Sequence, residues 1–136
     1  DSMLTAGLGF ELNPVYFNFD KSYLTKQSKA ILDENIRKLK EHRYAYIIVK
    51  GHTDAMGSNE YNEKLSARRS TSVMKYLLAH GVEKNRVVEV QNFGETTPAA
   101  PNTKENGADN PQGRKLNRRV EFQLLKSKKW RSISQY

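Results

Sequence analysis

The chain has 136 residues, a net charge of +8 at neutral pH and no cysteine. This length predicts a single domain, and the lack of cysteine excludes disulfides and thiolate metal sites. The longest apolar run, residues 45–49, is far shorter than the ~20 residues of a membrane-spanning helix. Because the chain begins with Asp1 and shows no signal peptide, we expect a fragment whose targeting segment lies upstream.

The first third of the chain predicts a strand followed by a helix. Residues 1–14 show no clear periodicity and are predicted to form a linker or an edge segment. Apolar and polar side chains then alternate from Val15 to Phe19, which predicts a strand that ends at Asp20. Thr25 is a candidate N-cap for a helix with an apolar stripe that ends near Glu41.

The middle of the chain predicts a buried strand, a turn and a long helix. Residues 44–49 are β-branched and nearly all apolar, which is typical of a central strand covered on both faces. The turn residues 51–58 follow. A second helix is predicted to begin near Ser58 and to end at His80. Gly81 follows it, and glycine readily adopts the left-handed conformation that commonly ends a helix.

The last third predicts two more strands. Residues 86–90 and 119–125 have strand patterns, and residues 94–113, rich in Pro, Gly and Asn, are predicted to form a long loop. The element order β-α-β-α-β-loop-β implies at least one right-handed crossover over a sheet. We expect one domain at residues 15–126 and a basic tail at 127–136.

Asp54 and Arg69 are the candidate binding residues. Asp54 lies in the turn just after the central strand, and Arg69 lies on the apolar stripe of the second helix with Leu65 and Val73. A charge on such a stripe is costly unless it is paired. An acid and a guanidinium that face a common spot suit a small zwitterion. A turn-forming aspartate and an internal ion pair are the structural alternatives.

The sequence makes only a weak case for an enzyme. The three histidines lack the spacing of a metal site, and the serines at positions 66, 70 and 72 have no visible His and Asp partners. The turn GHTDAMGS lacks the phosphate-loop pattern. We therefore expect no metal and no cofactor. The aromatic residues fit strands and helix stripes better than base stacking, so we also expect no nucleic acid partner.

A cluster of cations follows residue 113 and has two interpretations. It comprises Arg114, Lys115, Arg118, Arg119, Lys126, Lys128, Lys129 and Arg131. It is either a solvated basic end or a basic module that binds an anionic polymer or a membrane surface. Salt-sensitive binding that is lost on deletion of residues 127–136 would indicate the second.

Five segments between Pro14 and Leu125 resemble the OmpA-like domain, the peptidoglycan-binding module of outer-membrane proteins and lipoproteins. They are VYFNFDK (15–21), GHTDAMGSNEYNEKLSARRS (51–70), YLLAHGVEKNRV (76–87), FGETTP (93–98) and GRKLNRRVEF (113–122). The resemblance implies an α+β fold, a βαβαβ-β sandwich of two main helices packed on a mixed four-stranded sheet. It also implies non-covalent binding of the diaminopimelate residue of the stem peptide, without catalysis.

The resemblance also assigns roles to residues. Asp54 is expected to receive the ammonium group of the ligand, and Arg69 to clamp its carboxylate. Phe19 and Asp20 are expected to offer backbone contacts. A further set is expected to line or brace the pocket: Thr53, Asn62 and Leu65.

Asn117 and Arg118 are the first two residues of the NRR triplet at 117–119, which is a hallmark of the family. We expect them to be mainly structural, with secondary contact to the glycan-peptide strand. Replacing Asp54 or Arg69 by alanine is expected to leave the fold intact and to abolish binding to the wall.

The resemblance places the parent protein in the bacterial envelope. We expect the domain on the periplasmic side, where it anchors an outer-membrane protein or lipoprotein to the cell wall. The membrane is reached only through a segment outside this fragment. The alternative within the family is the wall-anchoring domain of a flagellar stator or of an envelope secretion complex.

Overall fold

The computed structural model describes residues 8–127. The elements are β1 (Val15–Tyr16), α1 (Lys26–Glu41), β2 (Tyr46–Gly51), α2 (Asn59–Ala79), a 3-10 turn (Lys84–Arg86), β3 (Val87–Asn92), α3 (Pro111–Asn117) and β4 (Arg119–Leu125). None of the helices in this part is long and apolar enough to cross a bilayer. The predicted basic tail lies outside the described residues, except for residue 127.

Within residues 8–127 the strands form one four-stranded sheet in the order β1-β4-β2-β3. Strands β2 and β3 are parallel, with α2 as the crossover between them, and β4 is antiparallel to both β1 and β2. The expected α+β fold with a mixed sheet and two main helices is therefore confirmed.

Both long helices begin at the predicted caps. Thr25 accepts a hydrogen bond from the Ser28 amide at 3.1 Å, and Ser58 accepts one from the Tyr61 amide at 3.1 Å. The apolar faces of the helices cover one side of the sheet and bury a core of Val15, Phe17, Leu32, Ile36, Leu39, Ile47, Val49, Val73, Leu77, Val82 and Val120.

Arg86 closes the C-terminal end of α1, a role that the sequence did not reveal. We expected Arg86 to begin a strand, but it lies in the 3-10 turn and is buried. Its guanidinium donates to the carbonyls of Leu39 (2.7 Å), His42 (2.7 Å) and Ala45 (3.0 and 3.1 Å). It thereby satisfies carbonyls that a helix end leaves without partners.

Two other expectations about the elements were wrong. The first strand spans only Val15–Tyr16, and after it the backbone forms a turn in which the Lys21 amide donates to the Asn18 carbonyl at 3.1 Å and Asp20 has a left-handed φ of 58°. The predicted loop contains the start of α3, a helix capped by Asn110 with Pro111 in its first turn. A helix of seven residues is too short to show a periodic apolar pattern.

Residues 8–14 form no regular element, as expected, yet they contact α1. Asn35 of α1 accepts from the Asn13 amide at 3.0 Å and donates to the Asn13 carbonyl at 2.8 Å. Phe10 stacks on His42 with ring centroids 3.9 Å apart. The domain boundary at residue 14 stays a proposal.

Candidate functional site

Asp54 lies in a turn that continues β2. The turn is held on both sides, because the His52 amide donates to the Arg119 carbonyl (2.9 Å) and the Thr53 amide to the Gly94 carbonyl (2.8 Å). The Oδ1 atom of Asp54 accepts from the Met56 amide at 3.1 Å. Asp54 is only 4% exposed, so its carboxylate is fixed in orientation and largely shielded from water.

The free carboxylate oxygen of Asp54 faces cations from the other end of the chain. Its Oδ2 atom lies 3.3 Å from Nη1 of Arg118 and 3.9 Å from Nη1 of Arg114. Arg118 also donates to the Phe17 carbonyl at 2.9 Å. The arginines approach because α3 packs beside the turn, and this proximity has no local signal in the sequence.

Arg69 is fully buried beneath the same turn. Its Nε donates to the Lys21 carbonyl (2.8 Å), Nη1 to the His52 carbonyl (3.0 Å) and Nη2 to the Asn18 carbonyl (3.2 Å). Burial lowers the pKa of the guanidinium to about 10, and the nearby charge of Asp54 acts in the opposite direction. Arg69 therefore remains charged at neutral pH and ties two loops together.

Asp54 and Arg69 lie close enough to interact electrostatically, but Asp54 lines the wall of a pocket whereas Arg69 lies buried beneath the turn. Among residues 8–127 the ion pairs of Asp54 are with Arg114 and Arg118, and none joins it to Arg69. Arg69 lies behind the carbonyls that it binds. Its predicted role as a carboxylate clamp stays a prediction.

A pocket of about 220 Å³, here called the acidic pocket, opens beside Asp54. Its lining residues are Phe19, Asp20, Asp54, Met56, Gly57, Tyr61, Asn62 and Leu65. Five of the nine predicted site residues are in this set. Thr53 is buried next to Asp54 and donates to the Asp54 carbonyl at 2.8 Å, so it braces the turn.

The rim of the acidic pocket is fixed by side-chain hydrogen bonds. Tyr61 donates its hydroxyl to Asp20, and this bond raises the pKa of Tyr61. Asn62 is buried and donates to Glu95 at 3.0 Å. The pocket thus combines two carboxylates with the apolar side of Leu65, which suits an aliphatic chain that ends in a cation.

A second, wider cavity of about 560 Å³, here called the basic groove, shares a wall with the acidic pocket. It is lined by Phe19, Met56, Pro111, Gln112, Arg114, Lys115 and Arg118. Phe19 and Met56 line both cavities. The sequence points to Phe19 as a ligand contact and to Arg114, Lys115 and Arg118 as members of a basic cluster, but not to Met56.

Asn117 is fully buried and has a scaffolding role. Its Oδ1 accepts from the amides of Ala99 (2.7 Å) and Ala100 (3.0 Å), and its Nδ2 donates to the Ala100 carbonyl (2.8 Å) and to Asn102 (2.9 Å). Asn102 in turn accepts from the Ala55 amide at 3.3 Å, next to Asp54. The expected structural role of Asn117 agrees with these bonds, and a secondary ligand contact stays a prediction.

His52 belongs to a network behind the turn. Its Nε2 lies 3.0 Å from Glu121 and its Nδ1 2.9 Å from the Thr97 hydroxyl. Arg119 also binds Glu121, at 3.1 Å. The hydrogen bond from His52, followed by the one from Arg119, lowers the pKa of Glu121 from 4.5 to about 2.

Glu121→Gln is expected to lower the free energy of unfolding above about pH 5 and to have a shrinking effect toward pH 2. A carboxylate whose pKa is depressed in the folded state stabilises the protein above its unfolded-state pKa of 4.5, and this stabilisation is lost as the pH falls through about 2. Urea unfolding of both proteins at several pH values measures the difference. A constant difference between pH 7 and pH 2 would contradict this assignment.

Comparison with known proteins supports the resemblance. A model of the OmpA family matches residues 16–111. Outer membrane protein A of Bordetella avium is 36% identical over 114 residues, which are 84% of this chain and 55% of that protein. Photosystem I P700 chlorophyll a apoprotein A2 of Gloeobacter violaceus is 37% identical over 113 residues, 83% of this chain but 13% of that protein. The chain thus spans only part of the curated relatives that it matches.

Solved structures agree with this result. The peptidoglycan-associated lipoprotein from Burkholderia pseudomallei superposes with a TM-score of 0.67 and 28% identity, covering 82% of this chain and 88% of that one. The C-terminal domain of Helicobacter pylori MotB superposes with a TM-score of 0.72 and 26% identity, covering 90% of each chain. The expectation of a binding domain rather than an enzyme is confirmed by these relatives, and the chain belongs to the OmpA family.

Proposed function

We propose that this domain binds peptidoglycan non-covalently and holds the diaminopimelate residue of a stem peptide at the acidic pocket. The observation that carries the proposal is the shielded, oriented carboxylate of Asp54 in the wall of a pocket of about 220 Å³. One structural relative is a peptidoglycan-associated lipoprotein, which supports this choice of ligand.

The pocket offers a separate contact to each part of a diamino acid. Asp54 and Asp20 attract the side-chain ammonium group, and Leu65 and Phe19 cover the methylene chain. An ammonium group that reaches Asp54 has to share the carboxylate with Arg118, which occupies Oδ2 at 3.3 Å. Binding therefore exchanges one charge partner for another, and no covalent bond is made or broken.

Arg69 supports this site from below. It fixes the carbonyls of Asn18 and Lys21 on one side of the pocket and that of His52 on the other. We propose that its buried charge also favours the carboxylate of the ligand, as the resemblance implies. Thr53 and Asn62 hold the turn and the rim in the geometry that binding requires.

The wider biological role follows from the ligand. A domain that holds the cell wall works on the periplasmic side of the envelope, and the relatives found include outer membrane proteins and a lipoprotein. We propose that it anchors such a protein to the wall. A flagellar stator or a secretion complex is the alternative, and one structural relative is a MotB domain. The sequence of the complete parent protein decides between them.

Binding of an anionic polymer or a membrane by the basic C-terminal end is less well supported. Arg114 binds Asp109 at 2.8 Å and Arg119 binds Glu121 at 3.1 Å. Arg118 lies 3.3 Å from Asp54. These arginines are already paired with carboxylates of the domain, while Lys128, Lys129 and Arg131 lie outside the described residues.

Asp54→Asn is expected to weaken binding at least tenfold, both to purified sacculi and to free diaminopimelate. Asparagine keeps an oxygen for the Met56 amide but removes the charge, and a charge-assisted hydrogen bond contributes about 1.5–3 kcal/mol. Co-sedimentation and calorimetry measure the loss. The matched control is Glu105→Gln, which removes one negative charge from an exposed loop position.

Two controls show whether weaker binding comes from the lost charge of Asp54 rather than from a general charge effect or unfolding. The Glu105 variant should bind like the unmodified domain, and the Asp54 variant should keep the circular dichroism spectrum of the fold. Equal co-sedimentation of the Asp54 variant and the unmodified domain would refute the proposed site.

A further inference from the structure

We propose that the basic groove is a second subsite, which binds a free carboxylate on the residue next to diaminopimelate in the same stem peptide. This inference rests on the proposed function and adds a determinant of ligand specificity. It assigns Lys115 as the residue whose ammonium group contacts the carboxylate. The domain is therefore expected to bind a peptide with a free carboxylate more tightly than the same peptide with an amide.

The two cavities are contiguous, so one ligand can occupy both. Phe19 and Met56 separate them and are about half exposed, at 52% and 49%. An extended peptide advances roughly 3.5 Å per residue. Because Phe19 and Met56 line both cavities, a diamino acid with its side chain in the acidic pocket can place its neighbouring residue at the Phe19–Met56 ridge, beside the basic groove.

The groove has the charge to receive a carboxylate. Arg114 and Arg118 are partly neutralised, Arg114 by two 2.8 Å bonds to Asp109 and Arg118 by Asp54. Lys115 is exposed and lines the groove, and the hydrogen bonds and ion pairs found within residues 8–127 do not engage its ammonium group. It is therefore the groove cation with a full capacity to bind a ligand anion.

Occupation of the acidic pocket makes the groove more attractive to anions. A ligand ammonium at Asp54 competes with Arg118 for the same carboxylate oxygen, 3.3 Å from Nη1. The charge of Arg118 is then less compensated, and it faces the groove together with Lys115. One internal ion pair is thus replaced by two contacts to a zwitterionic ligand, so a lone amine is expected to bind more weakly.

The test uses two synthetic stem tetrapeptides that differ only at the residue after diaminopimelate, which ends in a carboxylate or in an amide. Calorimetry on the domain should show that the free carboxylate is preferred roughly two- to fivefold, since Lys115 is exposed to solvent. Lys115→Met should remove most of this preference, leaving only the share that Arg118 provides, and it should leave the affinity for the amide unchanged. Lys75→Met, at an exposed position near the far end of α2, should keep the preference.

The remaining outcomes separate this inference from the proposed function. If both peptides and free diaminopimelate bind but Lys115→Met keeps the preference, the subsite is wrong and the proposed function stands. If Lys115→Met weakens both peptides equally and added salt removes the effect, the groove provides only general attraction for anions and the inference falls. If free diaminopimelate does not bind the unmodified domain, the proposed function fails and this inference with it.

Discussion

Arg69→Met is expected to lower the free energy of unfolding by about 3 kcal/mol or more. The side chain is completely buried, and its guanidinium binds the carbonyls of Lys21, His52 and Asn18. Methionine fills similar space but donates no hydrogen bond, so the buried His52 carbonyl loses its donor at a cost of about 1–3 kcal/mol. The part-buried carbonyls of Lys21 and Asn18 lose charge-assisted bonds as well, although that of Asn18 still accepts from the Lys21 amide at 3.1 Å. Urea unfolding at neutral pH measures the change.

Neighbouring variants give this prediction its controls. Arg68→Met changes an exposed residue on the same helix and should alter stability by less than about 0.5 kcal/mol. Arg69→Lys keeps a charge but not the planar fork that reaches three carbonyls, so it should be intermediate. Equal unfolding midpoints for Arg69→Met and the unmodified domain would show that these bonds contribute little.

The buried position of Arg69 also changes how binding data are to be interpreted. The sequence led us to expect that Arg69→Ala leaves the fold intact, but the three carbonyl contacts make a loss of stability the first consequence. Weaker binding to the wall by an Arg69 variant therefore does not by itself show a contact with the ligand. Asp54→Asn is the cleaner test, because Asp54 lies in the pocket wall and its substitute keeps the bond to Met56.

Local signals in the sequence are sufficient for much of the fold. The caps Thr25 and Ser58 and the stop at Gly81 define the long helices, because capping depends on residues within one turn. A nearly continuous apolar run locates β2, which is covered on both faces, and the alternation of side chains locates β4. Local signals fail for α3, which is held by Asn117 and the chain around it rather than by an apolar stripe of its own.

The site was only partly predictable for the same reason. The position of Asp54 just after a buried strand identified it as a candidate binding residue. The apolar stripe of the second helix identified Arg69 as buried. The partners could not be predicted. Arg69 binds carbonyls of irregular backbone, which every residue possesses, and Asp54 meets Arg118 from 64 positions further along the chain. Only the tertiary packing of α3 brings that arginine to the turn.

Gly51 is a further residue whose role depends on packing. The sequence suggested turn chemistry, but Gly51 is the buried last residue of β2, with α2 lying across it. A Cβ atom at this position would lie 2.3 Å from the Ser70 hydroxyl and 2.5 Å from the Ser66 carbonyl oxygen. The glycine is needed because helix and strand approach closely, and this approach also sets the position of Arg69.

Gly51→Ala is therefore expected to destabilise the domain by about 1–3 kcal/mol, the usual cost of forcing an extra group into a packed interior. Urea unfolding measures the loss of stability, and the displaced helix should also weaken diaminopimelate binding.

Ser70→Ala is the informative partner, since the Ser70 hydroxyl is buried without a hydrogen bond in the described structure and its removal should cost little. Combined with Gly51→Ala it removes the first clash but not the second, which is with the backbone of α2. The double variant should recover only part of the lost stability; complete recovery would place the whole effect at the Ser70 hydroxyl and contradict the requirement for a close helix–strand approach.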